Sequence, residues 1–228
     1  MRLSKLFRST TILVLVLSLS IYLSANFWFT LVLQGAIATE IGLPVNITGL
    51  DFRPWQGVIK FDRLQLQNPP GFSSPYLLAL DGLDALIIPA SLRQTVVELD
   101  HISLAKLEIY LEQGLSFNLL PVINHLSRKN DRVDQGQPLA AETKVKARLI
   151  EIKAATVHTI LPFWQRSLDL ARFKQRDLNS SEGDGVRVSW LLSQILFQLL
   201  RPVVQQNLLE LPQTALIFLT EAIAKLEN

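Results

Sequence analysis

The sequence predicts an α+β protein: an N-terminal transmembrane helix, then an antiparallel, twisted β-sheet of about 6–8 strands packed with C-terminal amphipathic helices. Three observations predict this order. A long apolar run without charge opens the chain, and alternation of apolar and polar residues with period two dominates its middle. Helical spacing of apolar residues then returns near the C-terminus.

A transmembrane helix is predicted over residues 10–33, after a basic tail over residues 1–9. No charged residue occurs between Arg8 and Glu40, and an apolar helix of about 20 residues crosses the roughly 30 Å hydrocarbon core of a bilayer. Basic residues precede this run, and no comparable basic cluster follows it closely. Because Lys and Arg stay on the cytoplasmic side, we expect a cytoplasmic N-terminus and a bulk of the chain outside the cytoplasm.

A cleaved signal peptide is the alternative to a retained anchor. Residues 18–20 read Ser-Leu-Ser, which fits a small-x-small cleavage site. The apolar sequence continues well past this point, whereas a signal peptide needs an apolar stretch of only about 7–15 residues. Phe27, Trp28 and Phe29 then fall where an outer interface belt would lie. A retained anchor is therefore favoured, and cleavage stays open.

The composition excludes several classes of protein. Three of the 22 basic residues lie in the first 39 positions, which hold no acidic residue. The rest of the chain therefore contains 19 basic and 20 acidic residues. No basic stripe with interleaved aromatics appears, and no nucleic acid is expected as a partner. A sequence without Cys has no disulfide, thiolate metal ligand, Cys nucleophile or lipoprotein anchor. About 190 residues follow the anchor, enough for one domain with a core.

Residues 34–126 are predicted to form the first part of a β domain. Gly42 and Pro44 favour the end of a helix, and apolar and polar residues alternate after them. Such alternation is typical of strands with one solvated face. One-residue slips of the pattern at Asp62-Arg63 and Ala105-Lys106 indicate β-bulges or short turns.

The sheet is predicted to continue over residues 144–188, after a polar, flexible loop over residues 127–143. Residues 150–159 copy the apolar spacing of residues 102–111, which makes the two segments a weak internal repeat. Repeats of this kind indicate that one sheet is extended by similar strands.

The C-terminal part, residues 189–228, is predicted to form amphipathic helices. Leu192, Ile195, Leu199 and Val203 follow a helical spacing. Packing on the sheet is favoured over a position along a membrane surface, because interfacial helices usually carry a polar face rich in Lys and Arg.

No catalytic, metal or cofactor site is predicted, and the chain is not expected to be an enzyme. The three histidines lie far apart in sequence, and no HExxH, GxSxG, P-loop or GxGxxG pattern occurs. Asp81 and Asp84 are best explained by a solvated sheet face. Residues 180–185 read as a polar turn without the ligand spacing of a calcium loop.

The apolar face of the predicted sheet is the sharper candidate for a binding site. Acyl chains would lie in a groove on this face; the alternative is an ordinary core covered by the C-terminal helices. The lipid-binding candidates, which alternate along the predicted strands, are Ile59, Phe61, Leu64, Leu66, Leu80, Leu104, Leu107 and Ile109.

Four stretches of the first half follow the hydrophobic segment in a characteristic order. The chain reads GLPVNITGLDF and GVIKFDRLQLQNPPGF, then SLRQTVVELDHISLAKLEIYLEQG and SFNLLPVINHL. The most specific positions are those of the turn with Asn68, Pro69, Gly71 and Phe72, together with the pair Ser91-Leu92. On these stretches the chain resembles the AsmA-like family of bacterial envelope proteins.

The resemblance implies a single-pass protein of the bacterial cytoplasmic (inner) membrane that faces the periplasm. It also implies a sheet related to the groove-forming sheets of bridge-like lipid transfer proteins, with phospholipid or glycolipid as ligand and possible protein partners in the envelope. It supplies no catalytic residue. At about 4.8 Å per strand, six to eight strands span only about 30–40 Å, so local lipid extraction or work with partners is expected rather than a long bridge. A membrane-tethered scaffold with a closed core and no lipid is the alternative.

Overall fold

The structure, a computed structural model, describes residues 24–114, 116–134, 144–161, 164–178, 185–205 and 213–227. The predicted tail over residues 1–9 and the first part of the predicted transmembrane helix lie outside the described residues. The described remainder of that segment belongs to a helix, α1, which covers residues 24–41. Within the described residues, no helix is long and apolar enough to cross a membrane.

The described residues form an α+β fold, as predicted, with one ten-stranded sheet and four helices. Besides α1, the helices are α2 (Leu120–Asp134), α3 (Val188–Gln205) and α4 (Gln213–Glu227), and a 3-10 helix covers Pro89–Arg93. The strands are β1 (Val45–Thr48), β2 (Asp51–Arg53), β3 (Val58–Gln67), β4 (Tyr76–Ile87), β5 (Val96–Glu112), β6 (Lys144–Ile152), β7 (Ala155–Leu161), β8 (Trp164–Leu170), β9 (Phe173–Leu178) and β10 (Val186–Arg187).

The sheet is mixed, which corrects the prediction of an antiparallel sheet with about six to eight strands. Strands β3, β4 and β5 form an antiparallel meander, and β1 and β2 both pair with β3. Strand β5 is long enough to pair in parallel with β6 along its first half and with β7 along its second half. A parallel pair needs a crossover connection, and here α2 lies between β5 and β6 in the chain.

The internal repeat found in the sequence corresponds to this parallel pairing. Ile102 pairs with Ile150 on β6, and Ile109 pairs with Val157 on β7. Both pairs join equivalent positions of the two copies of the repeat, so the copies lie side by side in the sheet. The prediction that one sheet is extended by similar strands is confirmed.

The predicted bulges or short turns at Asp62-Arg63 and Ala105-Lys106 are wrong, because β3 and β5 continue through these positions without a register shift, although the apolar pattern does change phase there. The β3–β4 register stays constant across Asp62, and its shift falls instead between Leu66 and Gln67. The alternation of apolar and polar side chains shifts by one residue in β3, β4 and β5 at the same level of the sheet. At that level, Gly82 of β4 has a φ of +63°. Because no strand gains a residue relative to its neighbour there, the register needs no bulge.

Helix α2 extends into the segment that was predicted as a loop. Residues 127–134, assigned above to the loop 127–143, are helical, and residues 135–143 lie outside the described part. The sequence contains no Gly or Pro between Pro121 and Gly136, so no residue of the kind that ends helices interrupts this stretch.

One face of the sheet is apolar and packs against the helices. Side chains of β5, α2, α3 and α4 share one core, with Ile109, Ile123, Leu200 and Leu219 at most 1% exposed. The predicted packing of the C-terminal helices on the sheet is therefore confirmed. The opposite face carries polar side chains and ion pairs.

The ion pairs of the polar face are expected to stabilise the fold only weakly. Lys60 Nζ lies 2.7 Å from Asp84 Oδ2, but these side chains are 50% and 45% exposed. A double-mutant cycle of Lys60→Ala and Asp84→Ala should give a coupling of about 0.2–1 kcal/mol in the free energy of unfolding. A coupling well above this range at physiological salt would contradict the description of this face as solvated.

Candidate functional site

The eight lipid-binding candidates lie together on the apolar face of β3, β4 and β5, and we call them the apolar strip. Cross-strand pairs connect them: Leu64 pairs with Leu80, which pairs in turn with Leu107. The neighbouring rows continue the strip on both sides, through Phe61 and Leu104 on one side and Leu66 and Ile109 on the other. The sequence pattern thus identified one contiguous surface.

The helices cover the apolar strip in this structure. Six of its eight residues are at most 6% exposed, whereas Ile59 and Leu80 are half-buried. Leu104, Leu107 and Ile109 share a core with α2, α3 and α4. At the other end of the strip, Phe61 and Leu64 pack against α1.

Two clefts in the described part of the chain lie away from the strip. One, of about 120 Å³, lies between α3 and α4 beside Phe197 and Ile223. The other, of about 360 Å³, is an open depression on α4 beside Leu216 and Ile217. Ligand sites are typically clefts or cavities of about 300–1,000 Å³ that enclose most of the ligand. The first cleft is smaller than this and the second is open, so neither has the form of a lipid site.

The turn that is most specific in the sequence is part of a partly buried hydrogen-bond network, which we call the polar latch. It consists of Asn68, Ser73, Ser74, Glu112 and Asn118. The Asn68 amide donates to the Ser74 hydroxyl at 2.7 Å, and the Asn118 amide donates to Asn68 Oδ1 at 2.9 Å. The backbone N–H of Glu112 donates to Asn118 Oδ1 at 2.9 Å. The latch thus fastens the β3–β4 turn to the end of β5 and the chain just before α2.

Glu112 is the charged centre of the polar latch. Its carboxylate accepts four hydrogen bonds, from the backbone N–H and the hydroxyl of both Ser73 and Ser74, at 2.6–2.8 Å. Burial would raise the pKa of Glu112, but these four bonds outweigh it and lower the pKa to about 2. Glu112 is therefore held as a charged carboxylate, whose hydrogen bonds join the β3–β4 turn to the end of β5.

The other residues of the specific turn complete its shape. Pro69 is buried, and Gly71 has a φ of +96°, which favours glycine. The ring of Phe72 lies close over Gly114. The sequence pattern indicated this turn but not the other four members of the latch, because hydrogen bonds to Glu112 and Asn118 join residues that are far apart along the chain. The only local signal was an acidic residue at the end of an apolar strand.

A second polar cluster lies on the open face of the sheet around Glu108. Its carboxylate lies 2.6 Å from Lys106 Nζ and 3.9 Å from His158 Nε2. The hydrogen bond from Lys106 lowers the pKa of Glu108, and burial raises the pKa of Tyr110, which stacks on His158. His158 Nδ1 also lies 2.7 Å from Ser167 Oγ.

Glu108, His158 and Ser167 have the residue types of a nucleophilic triad but not its geometry. The 3.9 Å between Glu108 and His158 exceeds a hydrogen bond. Ser167 is exposed on β8, and neither cleft adjoins it. Among the described residues, no group of three or more His, Asp or Glu side chains is placed to hold a metal ion.

Comparison with known proteins adds no family to these observations. No protein-family model matches the chain, and no curated protein matches it. The resemblance to the AsmA-like family therefore rests on the sequence stretches alone and stays a prediction.

Proposed function

We propose that this chain is a non-catalytic, single-pass protein of the bacterial cytoplasmic membrane that binds phospholipid or glycolipid on the apolar strip and assists lipid transport in the envelope. The observation that carries the proposal is the contact of α1 with the sheet. Leu33 and Ile37 of α1 pack beside Phe61 and Leu64 of the strip. The described end of the apolar run thus packs, as part of α1, against the apolar face of the sheet.

Lipid binding requires the covering helices to move, because most of the strip is buried. Helix α4 is the part of the cover that we expect to move: it packs on α2 and α3, and two hydrogen bonds from Ser127 and Lys225 join it to α2. Exposing Leu219 and Ile223 of α4 would cost about 3–6 kcal/mol at about 1.5–3 kcal/mol per side chain. Burial of about four to eight acyl methylene groups would offset that cost at about 0.8 kcal/mol each.

A cross-link between α2 and α4 tests the proposal. The chain contains no Cys, so the double variant Asn124→Cys with Lys225→Cys places one reactive pair where the two side chains are 3.3 Å apart. Full-length protein in proteoliposomes would be exposed to a photoactivatable phospholipid, with and without a bismaleimide cross-linker. We expect labelled peptides from β3–β5 without the cross-linker and their loss with it.

The matched control places the same cross-link on the polar face, with Lys60→Cys and Asp84→Cys. This pair is 2.7 Å apart and does not join the covering helices, so labelling of the strip should persist. Equal labelling in both cross-linked proteins would contradict entry by displacement of α4. A folded protein that takes up no phospholipid label in any form would overturn the lipid function itself.

The second candidate function is a membrane-tethered interaction module with a closed core. The observation that favours it is the burial of six of the eight strip residues under four helices. Such a module would recruit protein partners of the envelope through a sheet edge or through the helices of residues 189–226. Absence of lipid label from the folded protein would favour this function over the first.

A further inference from the structure

Large exposed hydrophobic side chains are concentrated in two places of the described chain. Five of the nine occur in residues 27–32 of α1, and three lie in two turns at one end of the sheet. The three are Trp55, 88% exposed, Ile88, 37% exposed, and Leu92, 39% exposed. Only Ile217 on α4 lies elsewhere in the described residues. Single exposed apolar residues are ordinary, but a cluster of them marks a surface that contacts something apolar.

The two turns form one unit at this end of the sheet. Trp55 lies in the turn between β2 and β3, and Ile88 and Leu92 lie in the connection between β4 and β5. Gly57 O accepts a hydrogen bond from Ile87 N at 2.6 Å, and Gly57 has a φ of +69°. A Cβ at position 57 would collide with Ile87 O, so glycine is needed for this close approach.

Buried Ser91 fixes the outward direction of its neighbours. Its hydroxyl donates to Ile88 O at 2.7 Å and accepts a hydrogen bond from Glu98 N at 2.9 Å. Ser91 is 2% exposed, whereas Leu92 and Arg93 beside it are exposed. The 3-10 helix thus holds an apolar and a basic side chain at the surface, at the same end of the sheet as Trp55.

The described part of α1 begins at this end of the sheet. Helix α1 runs antiparallel to β1 and β2: Gln34 contacts Asn46 at 3.4 Å, and Asn26 accepts from Phe52 N at 3.3 Å. Moving toward the start of α1 therefore means moving along β2 toward the turn with Trp55.

We infer that Trp55, Ile88, Leu92 and Arg93, which we call the rim, form a second contact with the bilayer that holds the N-terminal segment. Trp is favoured at membrane interfaces because it is apolar with one polar N–H. Arg93 would lie at the level of the lipid headgroups, where a cation is attracted to anionic lipid. The rim would fix the orientation of the sheet on the membrane. This inference rests on the membrane anchor of the proposed function.

Depth-dependent quenching in proteoliposomes tests the rim. Single variants Trp55→Cys and Leu92→Cys of the full-length chain would carry an environment-sensitive fluorophore, in vesicles of phosphatidylethanolamine and phosphatidylglycerol. Phe27→Cys on α1 reports the anchor, and Gln165→Cys, exposed at the opposite end of the sheet, is the matched control. We expect spin-labelled lipid to quench the probes at 27, 55 and 92, and aqueous iodide to quench only the probe at 165.

The outcomes separate this inference from the function on which it rests. Quenching by lipid at 27 but only by iodide at 55 and 92 would overturn the rim and leave the anchor intact. Absence of lipid quenching at 27 as well would overturn the anchor and the rim together. Probes at 55 and 92 that are shielded from both quenchers would overturn the bilayer as occupant, in favour of a protein partner or a second copy of the chain.

Discussion

A Glu112→Ala variant is expected to lower the free energy of unfolding by about 3 kcal/mol, because each buried group left without its hydrogen-bond partner costs about 1–3 kcal/mol. The substitution removes the acceptor of four hydrogen bonds from Ser73 and Ser74. It leaves Ser74, which is 8% exposed, with two donors and no acceptor for them. Denaturant unfolding of the full-length protein in detergent micelles, followed by circular dichroism, measures the effect.

The same latch predicts a loss of stability in acid. The pKa of Glu112 is lowered from 4.5 to about 2 in the folded protein. A carboxyl group with a lowered folded pKa contributes stability that is fully present above its unfolded pKa and is lost as the pH falls toward its folded pKa. Glu112 should therefore stabilise the fold fully above about pH 4.5 and progressively less between pH 4.5 and 2. Glu112→Gln should lose this dependence.

Glu98→Gln is the matched control for the acid dependence, and Glu98→Ala is the matched control for the unfolding free energy. Glu98 lies on the same strand, its side chain is 40% exposed, and its carboxylate faces Lys146 at 4.0 Å. If Glu98→Gln removed as much of the acid dependence as Glu112→Gln, the dependence would be a general property of the sheet and the latch would have no special part in it.

The sequence predicted well which side chains share a face of the sheet, but it did not predict which distant residues they contact. Alternation along β3 and β5 identified the apolar strip because a strand exposes every second side chain to the same face. The internal repeat identified β6 and β7 as copies of β5, but apolar spacing carries no information on strand direction. The parallel pairing of Ile102 with Ile150 follows from the position of α2 between β5 and β6.

The polar latch shows the same limit at the level of single residues. Asn68 stood out through its turn, since Asn, Pro and Gly have local conformational preferences. Glu112 and Asn118 bond to partners that are distant in the chain, Ser73 and Asn68 respectively, and no local preference encodes such contacts. Likewise, alternation placed Leu107 on an apolar face but did not distinguish a face open to lipid from one covered by helices.

Because the strip is covered, truncating Leu107 should lower the free energy of unfolding strongly. This side chain is 3% exposed and packs in the core shared with the covering helices. Leu107→Ala should lower the free energy of unfolding by about 2–5 kcal/mol, the range for truncated leucines in well-packed cores. The control Ile217→Ala, at a residue that is 57% exposed, should change it by no more than about 0.5 kcal/mol. Thermal unfolding of the full-length protein in micelles compares the two.

The size of the Leu107 effect also bears on the choice between the two proposed functions. A cost near the upper end, about 5 kcal/mol, would mean a tightly packed interface that opens rarely, and it would favour the closed interaction module. A cost near the lower end, about 2 kcal/mol, would mean that the helices pack more loosely over the strip, and it would favour a cover that yields to lipid. A charged residue at Leu107 would not separate these cases, because burying an unpaired charge would unfold either state. Truncation of Leu107, combined with the cross-link between α2 and α4, therefore tests whether the cover moves.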